Sequence, residues 1–487
     1  RLLTQELDVD YFTALRALRG RAEGSRFEFV ARRVPSTLAT DAVDALEEAG
    51  YQGVTLRDDP VRDYPADDVA ANVIGFMGTD EPLGGFERTF DEQLAGTDGT
   101  ARYQVGGGNR IPLGESTLVP ADDGEPLRTT LDRDLQWFTQ RVLAQSVNKY
   151  RAESGVAVVM DTRSGQLLSL ADYPTFDAND PLATPEEDLG SRAVSDVYEP
   201  GSVQKVLTVA SLIDAGKASP RQPYKVPPVL NRQDRPIGDW FDHGTLRMTL
   251  AGIIAQSSNI GTVLAADAFT PVQLVRYLQR FGLGKPTGLG VRGETRGILT
   301  PGEAMTSQTK DRVAFGQSLS VNAVQMAAAV NTIANGGVRV SPSLVKGSAT
   351  TDGGREVGTD HSTATRVISR KAARQTARMM ELVVDDEVGV APGAQVPRYL
   401  VAGKTGTAQR VDDECGCYDG STSVSFAGFA PADDPRFTVY VVVHAPGVDG
   451  GGGSIAGPAF SRIMGFALSR YGVPPTGGEP SRLPVTW

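Results

Sequence analysis

Gly155-Val156-Ala157-Val158-Val159-Met160-Asp161 is a short, continuous apolar run, closed by the turn residues Thr162-Arg163-Ser164-Gly165. It is too short for an ordinary helix and rich in β-branched valine, so it reads as a strand buried on both faces. Residues 166–171, just past the turn, fit a hairpin partner. Far along the chain, residues 437–445 form a second apolar strand. Before the first strand, Leu131, Leu135, Phe138, Val142 and Leu143 fall at helical spacing within 129–149, with Asp132 near the start; residues 456–471 read as a closing helix. Early and late strands with helical segments between them predict one sheet built from both ends, an α+β arrangement.

Around this frame lie 487 residues, enough for two or three domains. With 40% apolar and 22% charged residues the composition is globular, which excludes disorder and collagen. A net charge of −11, with no segregated Lys/Arg cluster, argues against nucleic-acid binding. Cys415, Cys417, His243, His361 and His444 lack zinc-site spacing. The strongest apolar stretch, Val439-Tyr440-Val441-Val442-Val443, falls far short of the roughly 20 residues of a membrane span, and no signal peptide opens the chain. As given, the polypeptide reads as soluble, which is compatible with the ectodomain of an anchored protein. Residues 1–125 are lysine-free, with turn clusters Asp58-Asp59-Pro60 and Gly106-Gly107-Gly108 and short helices expected at 11–21 and 41–49. No catalytic set occurs there, so this region reads as a noncatalytic module.

Only nine of the 48 basic residues are lysine, and lysine is the basic side chain whose proton can be moved at useful pH. In Glu199-Pro200-Gly201-Ser202-Val203-Gln204-Lys205 the chain breaks at Pro-Gly and a helix begins near Ser202; Lys205 lies one turn on, on the same face. A lysine whose pKa is lowered can take the proton of a serine nucleophile, and a helix N-terminus favours a developing oxyanion. Taken alone, the pattern is more often a capping serine beside a surface lysine. Gln256-Ser257-Ser258-Asn259 places Ser257 and Asn259 two residues apart between apolar helical stretches, where they line a cleft or merely cap a helix. In Gly403-Lys404-Thr405-Gly406-Thr407, strand alternation puts Thr405 and Thr407 on one face, and Gly406 leaves room for a substrate backbone. A phosphate-binding loop is excluded there, because residue 398, where its glycine would stand, is arginine.

The conjunction is more specific than its parts. Ser-x-x-Lys, Ser-x-Asn and Lys-Thr-Gly follow in that order, at intervals of 55 and 147 residues. This is the set shared by penicillin-binding proteins and serine β-lactamases. Further stretches resemble a class B penicillin-binding protein of the cell-division (FtsI-like) type: Arg62-Asp63-Tyr64-Pro65, Ala71-Asn72-Val73-Ile74-Gly75-Phe76, Gly85-Phe86-Glu87, Phe315-Gly316-Gln317, Ala334-Asn335-Gly336-Gly337 and Phe426-Ala427-Gly428-Phe429-Ala430-Pro431. The resemblance implies a noncatalytic α+β pedestal over 1–125, a transpeptidase domain over 126–475 with an antiparallel sheet flanked by helices and a helical subdomain, and a tail over 476–487.

It also implies roles. Ser202 would be acylated by the D-Ala–D-Ala end of a peptidoglycan stem peptide, and by β-lactams. Lys205 would take its proton, Ser257 would relay protons to the leaving D-alanine, and Asn259 would hold the substrate amide and Lys205. Lys404 would sit beside Ser257, Thr405 would bind the terminal carboxylate, and the backbone N–H groups of Ser202 and Thr407 would form the oxyanion hole. No metal or organic cofactor is implied. Implied partners are a membrane glycosyltransferase and other cell-division proteins; the implied location is the outer face of the bacterial membrane, through an N-terminal helix absent from this chain. An elongation-type enzyme is the nearest alternative. A β-lactamase needs a second base for water, and no glutamate motif supplies one; a penicillin-sensing domain would not need the pedestal, and a noncatalytic scaffold would not need the full triplet. Cys415-Gly416-Cys417 is foreign to the general pattern and reads as a pair of loop thiols, with a small disulfide as the alternative.

Overall fold

The apolar run that opens the sheet becomes strand β1 (Ser154–Asp161), and its hairpin partner is β2 (Leu167–Tyr173). Late in the chain β3 (Ala402–Val411), β4 (Tyr418–Ala430) and β5 (Phe437–His444) complete the sheet. The order is β3-β4-β5-β1-β2 and every pairing is antiparallel. The late strand β5 therefore sits beside the early strand β1, with Phe437 opposite Asp161 and His444 opposite Ser154. The computed structural model describes residues 1–19, 28–51, 53–106, 109–111, 116–233, 235–411 and 415–487.

Both β1 and β5 are buried along their whole length, so the sheet must be covered on both faces. On one face lie α1 (Arg133–Lys149) and the C-terminal helix (Gly452–Arg470), joined by a stack of Phe138 on Phe466 at 4.1 Å. Phe460 of that C-terminal helix packs on Phe426 of β4, which pairs with Val441 of β5. Thr438 is three residues from Val441 and so points the other way. There its hydroxyl donates to Asn331 Oδ1 (2.7 Å) on the helix Ala323–Ala334, every residue of which is buried. That second layer continues into the helices that carry the site. Asp132 caps α1 as expected, accepting from Asp134 N and Leu135 N.

The chain divides into two compact units, Arg1–Pro65 and Ala66–Trp487. The first holds helices Tyr11–Arg19 and Ser36–Glu48 and an Arg32–Asp59 ion pair at 2.8 Å. The second of these helices starts five residues before the expected 41, directly after Pro35, a residue suited to a helix start. Residues after 65 are tied to the catalytic body by Ala70 N on Gln140 Oε1 (3.0 Å) and by Asn72 Nδ2 on the carbonyls of Asp188 and Gly190, both at 2.8 Å. Residues 476–487 are tied in as well: Thr249 N donates to Val485 O at 3.1 Å. Residues 20 and 21 of the expected first helix, and Gly107 and Gly108 of the glycine cluster, lie outside the described residues.

The loop cysteines do not stand as separate thiols. Cys415 and Cys417 are joined as a disulfide, with Cα atoms 5.2 Å apart, which corrects the reading as two loop thiols. The bend at Gly416, whose φ of +63° suits glycine, lets two such close residues turn toward each other.

Candidate active site

Ser202 lies in a single 3-10 turn, Gly201–Val203, that runs directly into α2 (Gln204–Asp214). Its side chain caps neither element, so the hydroxyl stays free for the cleft. The turn is wedged between two other segments. Gly201 N donates to Gly316 O (3.0 Å), and a methyl on Gly316 would fall 1.8 Å from Gly201 O. A methyl on Gly201 would lie 3.0 Å from the backbone nitrogen of Thr407, so the nucleophile turn and β3 run side by side.

Ser257 and Asn259 flank the start of α4 (Asn259–Ala266), which follows α3 (Leu250–Ala255). The capping alternative is correct for the middle residue alone: Ser258 Oγ accepts from Gly261 N at 2.8 Å. Ser257, with φ of +60°, is turned back out of the helix path, a conformation that costs about 1–3 kcal/mol and is held by its surroundings. Two neighbours hold it. Trp240 Nε1 donates to Gln256 O (2.9 Å), and the buried Asp239 carboxylate accepts from Ser258 Oγ (2.7 Å), Asn259 N (2.6 Å) and Ile260 N (3.0 Å).

The two lysines converge on this loop. Lys205 Nζ donates to Ser257 O (2.6 Å) and Asn259 Oδ1 (2.7 Å) and stands 3.4 Å from Ser257 Oγ. From the sheet side, Lys404 Nζ reaches Ser257 Oγ at 2.8 Å and Thr405 Oγ1 at 3.1 Å. Both lysines are fully buried. Burial lowers the pKa of Lys205 to about 7, partly opposed by the charge of Asp239. Burial, reinforced by the neighbouring Lys205 charge, also holds Lys404 well below the usual lysine range. Desolvation and like charge act in the same direction here, which favours a neutral amine able to accept a proton.

A cleft of about 480 Å³ opens over Ser202, Ser257, Asn259, Thr405 and Thr407. Gly406 is not among its walls. A methyl there would fall 2.3 Å from Ser425 Oγ and 3.0 Å from Pro200 O, so the glycine makes room for β4 and the nucleophile turn. The cleft is also lined by the glycine run Gly451-Gly452-Gly453 at the head of the C-terminal helix and by Trp240, Phe315 and Gln317. Asp239, Trp240 and the glycine run carry no role in the sequence reading. The glycines preceding an apolar helical pattern were the available signal; Asp239 lies in an irregular loop and offered none. His361 and His444 stand elsewhere, His361 at 2.7 Å from Ser348 Oγ and His444 buried at 2.8 Å from Ser423 Oγ, where burial pushes its pKa down to about 3. His243 touches the site's support, with Nε2 at 3.1 Å from Asp239.

The chain is similar to known proteins over nearly all its length. Residues 155–465 match the family model described as penicillin binding protein transpeptidase domain. Penicillin-binding protein PbpB of Mycolicibacterium smegmatis is 35% identical over 94% of this chain and 72% of its own length. Peptidoglycan D,D-transpeptidase FtsI of Escherichia coli K12 is 30% identical over 92% of this chain and 73% of its own. Penicillin-binding protein 3 of Mycobacterium tuberculosis, solved in complex with ampicillin, superposes with a TM-score of 0.78 at 34% identity, covering 88% of this chain and 93% of that one. With the triplet gathered in one cleft and the family model spanning the whole sheet, the chain belongs to the penicillin-binding protein transpeptidase family.

Proposed function

We propose that this chain is a serine peptidoglycan D,D-transpeptidase that cross-links stem peptides and is inhibited covalently by β-lactams. The observation that carries this reading is the Ser257 hydroxyl held between two buried lysines beside the uncapped Ser202. In the proposed reaction neutral Lys205 accepts the Ser202 proton as Oγ bonds to the carbonyl carbon of the penultimate D-alanine. The carbonyl oxygen takes the negative charge, facing the backbone N–H groups of Ser202 and Thr407; such a donor is often worth about 3–4 kcal/mol. The C–N bond then breaks, and the proton passes through Ser257 to the leaving D-alanine, whose carboxylate lies against Thr405 and Lys404. An amine of a second stem peptide attacks the ester, forms the new amide and returns the serine. Asn259, fixed by Asp239, holds Lys205 and the substrate amide.

The septal role is proposed on the likeness to relatives named FtsI and PbpB. With it go a location on the outer face of the cell membrane and partners among the glycosyltransferase and other division proteins. Among the described residues no helix is long and apolar enough to cross a membrane. The division of labour proposed for the chain is a noncatalytic pedestal before about residue 125 and chemistry after it.

Intact-mass spectrometry after incubation with benzylpenicillin tests the reading. One stable adduct on the wild type, absent from folded Ser202→Ala, is expected. An adduct that forms and decays while penicillin is consumed indicates a hydrolase, and no adduct on folded wild type refutes acyl chemistry altogether.

A further inference from the structure

Beside the acylation cleft lies a second groove of about 560 Å³ that shares Asn259, Phe315 and Gln317 with it. Its cations are Arg235 and Arg312. Nearby arginines are neutralised: Arg232 pairs with Asp267 (2.5 Å) and Asp311 (3.4 Å), and Arg410 pairs with Glu153 (2.5 Å). Among the described residues Arg235 and Arg312 have no such carboxylate partner. Arg312 is half-buried, its guanidinium 5.6 Å from the Phe315 ring centroid, so its position is set by packing rather than left to solvent. Both arginines line the same groove as Tyr418. Glu199, the acid bonded to Tyr418, is already engaged by Ser318 N (2.7 Å) and the Tyr418 hydroxyl (3.3 Å). Two unpaired guanidinium groups facing one groove form a seat for a carboxylate, the anion their geometry suits.

The direction of β3 says which carboxylate. Thr405 lies at the leaving-group end of the cleft; Thr407 and Gln409 are exposed further along the strand, and Gln409 lines the second groove. Thr405 to Gln409 spans about 13 Å at 3.3 Å per residue. A donor whose terminal carboxylate meets Thr405 therefore carries its upstream residues toward Gln409 and the groove. Resting on the transpeptidase reading, we propose that Arg235 and Arg312 bind a side-chain carboxylate of the donor stem peptide, on a residue upstream of the scissile D-Ala–D-Ala bond, and so set which stem peptides this enzyme uses as donors.

The test uses two synthetic thiolester donors, acetyl-X-D-alanyl thioglycolate, in which X is L-2-aminopimelate or its ω-amide. Acylation forms the Ser202 Oγ–carbonyl bond, breaks the C–S bond and releases the thiol, which is read directly. Hydrolysis without acceptor isolates the donor step, and benzylpenicillin titrates active enzyme. Replacing the charged partner by a neutral one forfeits the stronger, charge-assisted bonding, so wild type is expected to prefer the carboxylate donor by about tenfold or more in kcat/KM, mainly through KM. In Arg235→Gln/Arg312→Gln the ratio should fall to about one, with the amide donor's rate as internal control. An equal rate for both donors on wild type overturns the proposal without recourse to any variant. So does a preference that survives in the double variant, or one that emerges only when an acceptor amine is added, which would give the groove to the acceptor. Failure of benzylpenicillin to label wild type would instead remove the underlying transpeptidase reading.

Discussion

The sharpest consequence of the geometry concerns the pH dependence of acylation. Lys205 is buried in full and its pKa falls from 10.5 to about 7. At about 1.4 kcal/mol per unit this is roughly 5 kcal/mol of bias toward the neutral amine. At pH 7.5 about three-quarters of the molecules then hold a neutral Lys205, against about one in a thousand for an ordinary lysine. If Lys205 takes the Ser202 proton, its neutral form must precede acylation. The second-order rate constant for a fluorescent penicillin, followed by stopped flow from pH 5 to 9, should rise about tenfold per unit at low pH and level off above about 7. Asp239→Asn supplies the sign check. The Asp239 charge raises the pKa of Lys205, so its removal should move the midpoint to lower pH, even as loss of the charge-assisted bonds to Ser258 and Asn259 lowers the plateau. A flat profile, or a midpoint above pH 9, would refute Lys205 as the base. A midpoint that rises in Asp239→Asn would refute the electrostatic account of its pKa while leaving the base itself in place.

Two further substitutions separate site geometry from stability. In Gly316→Ala the new methyl meets Gly201 O at 1.8 Å, with the residue held at φ of +103°, so the nucleophile turn must shift; displacements of that order cost about a hundredfold in rate, to be read as penicillin acylation on protein whose circular dichroism is unchanged. Asp132→Ala removes the cap of α1 and the 2.7 Å bond from Arg470, far from the cleft; unfolding in urea should show a loss of about 1–2 kcal/mol with the acylation rate retained.

The parts of the fold that were legible in the sequence are those encoded by local pattern. β1 and β5 are mostly apolar because both of their faces are covered, and α1 declares itself by the spacing of Leu135, Val142 and Leu143 and by Asp132 at its cap. The three motifs that meet in the cleft were legible because each couples a reactive residue type to the local geometry that presents it. What was not legible depends on distant approach. Gly406 and Gly316 are required by Ser425 and Gly201, contacts that no local window contains. Asp239 acts through a loop beginning nineteen residues on, at Ser258, and from sequence it is one carboxylate among 59 acidic residues. Cys415 and Cys417 could be read either way, because whether two thiols meet depends on the bend between them.

The long intervals between the three motifs have a physical reason in this architecture. Lys404 and Thr407 lie on β3, the edge strand, which has no sheet neighbour on its outer side and so keeps backbone groups on that side free of the ladder. In the proposed reaction the oxyanion meets the N–H of Thr407, on a strand that has a sheet neighbour on one side only. An open edge is also a hazard, and here the turn carrying Ser202 lies against it, close enough that Gly201 has no room for a side chain. The helical layer then supplies Lys205 and Ser257 from α2 and from the loop before α4, where they can be buried away from water. A base with a lowered pKa must come from the packed layer, and an oxyanion donor from the unpaired edge. The site can therefore form only at the seam between the two, from segments that the chain reaches far apart in sequence.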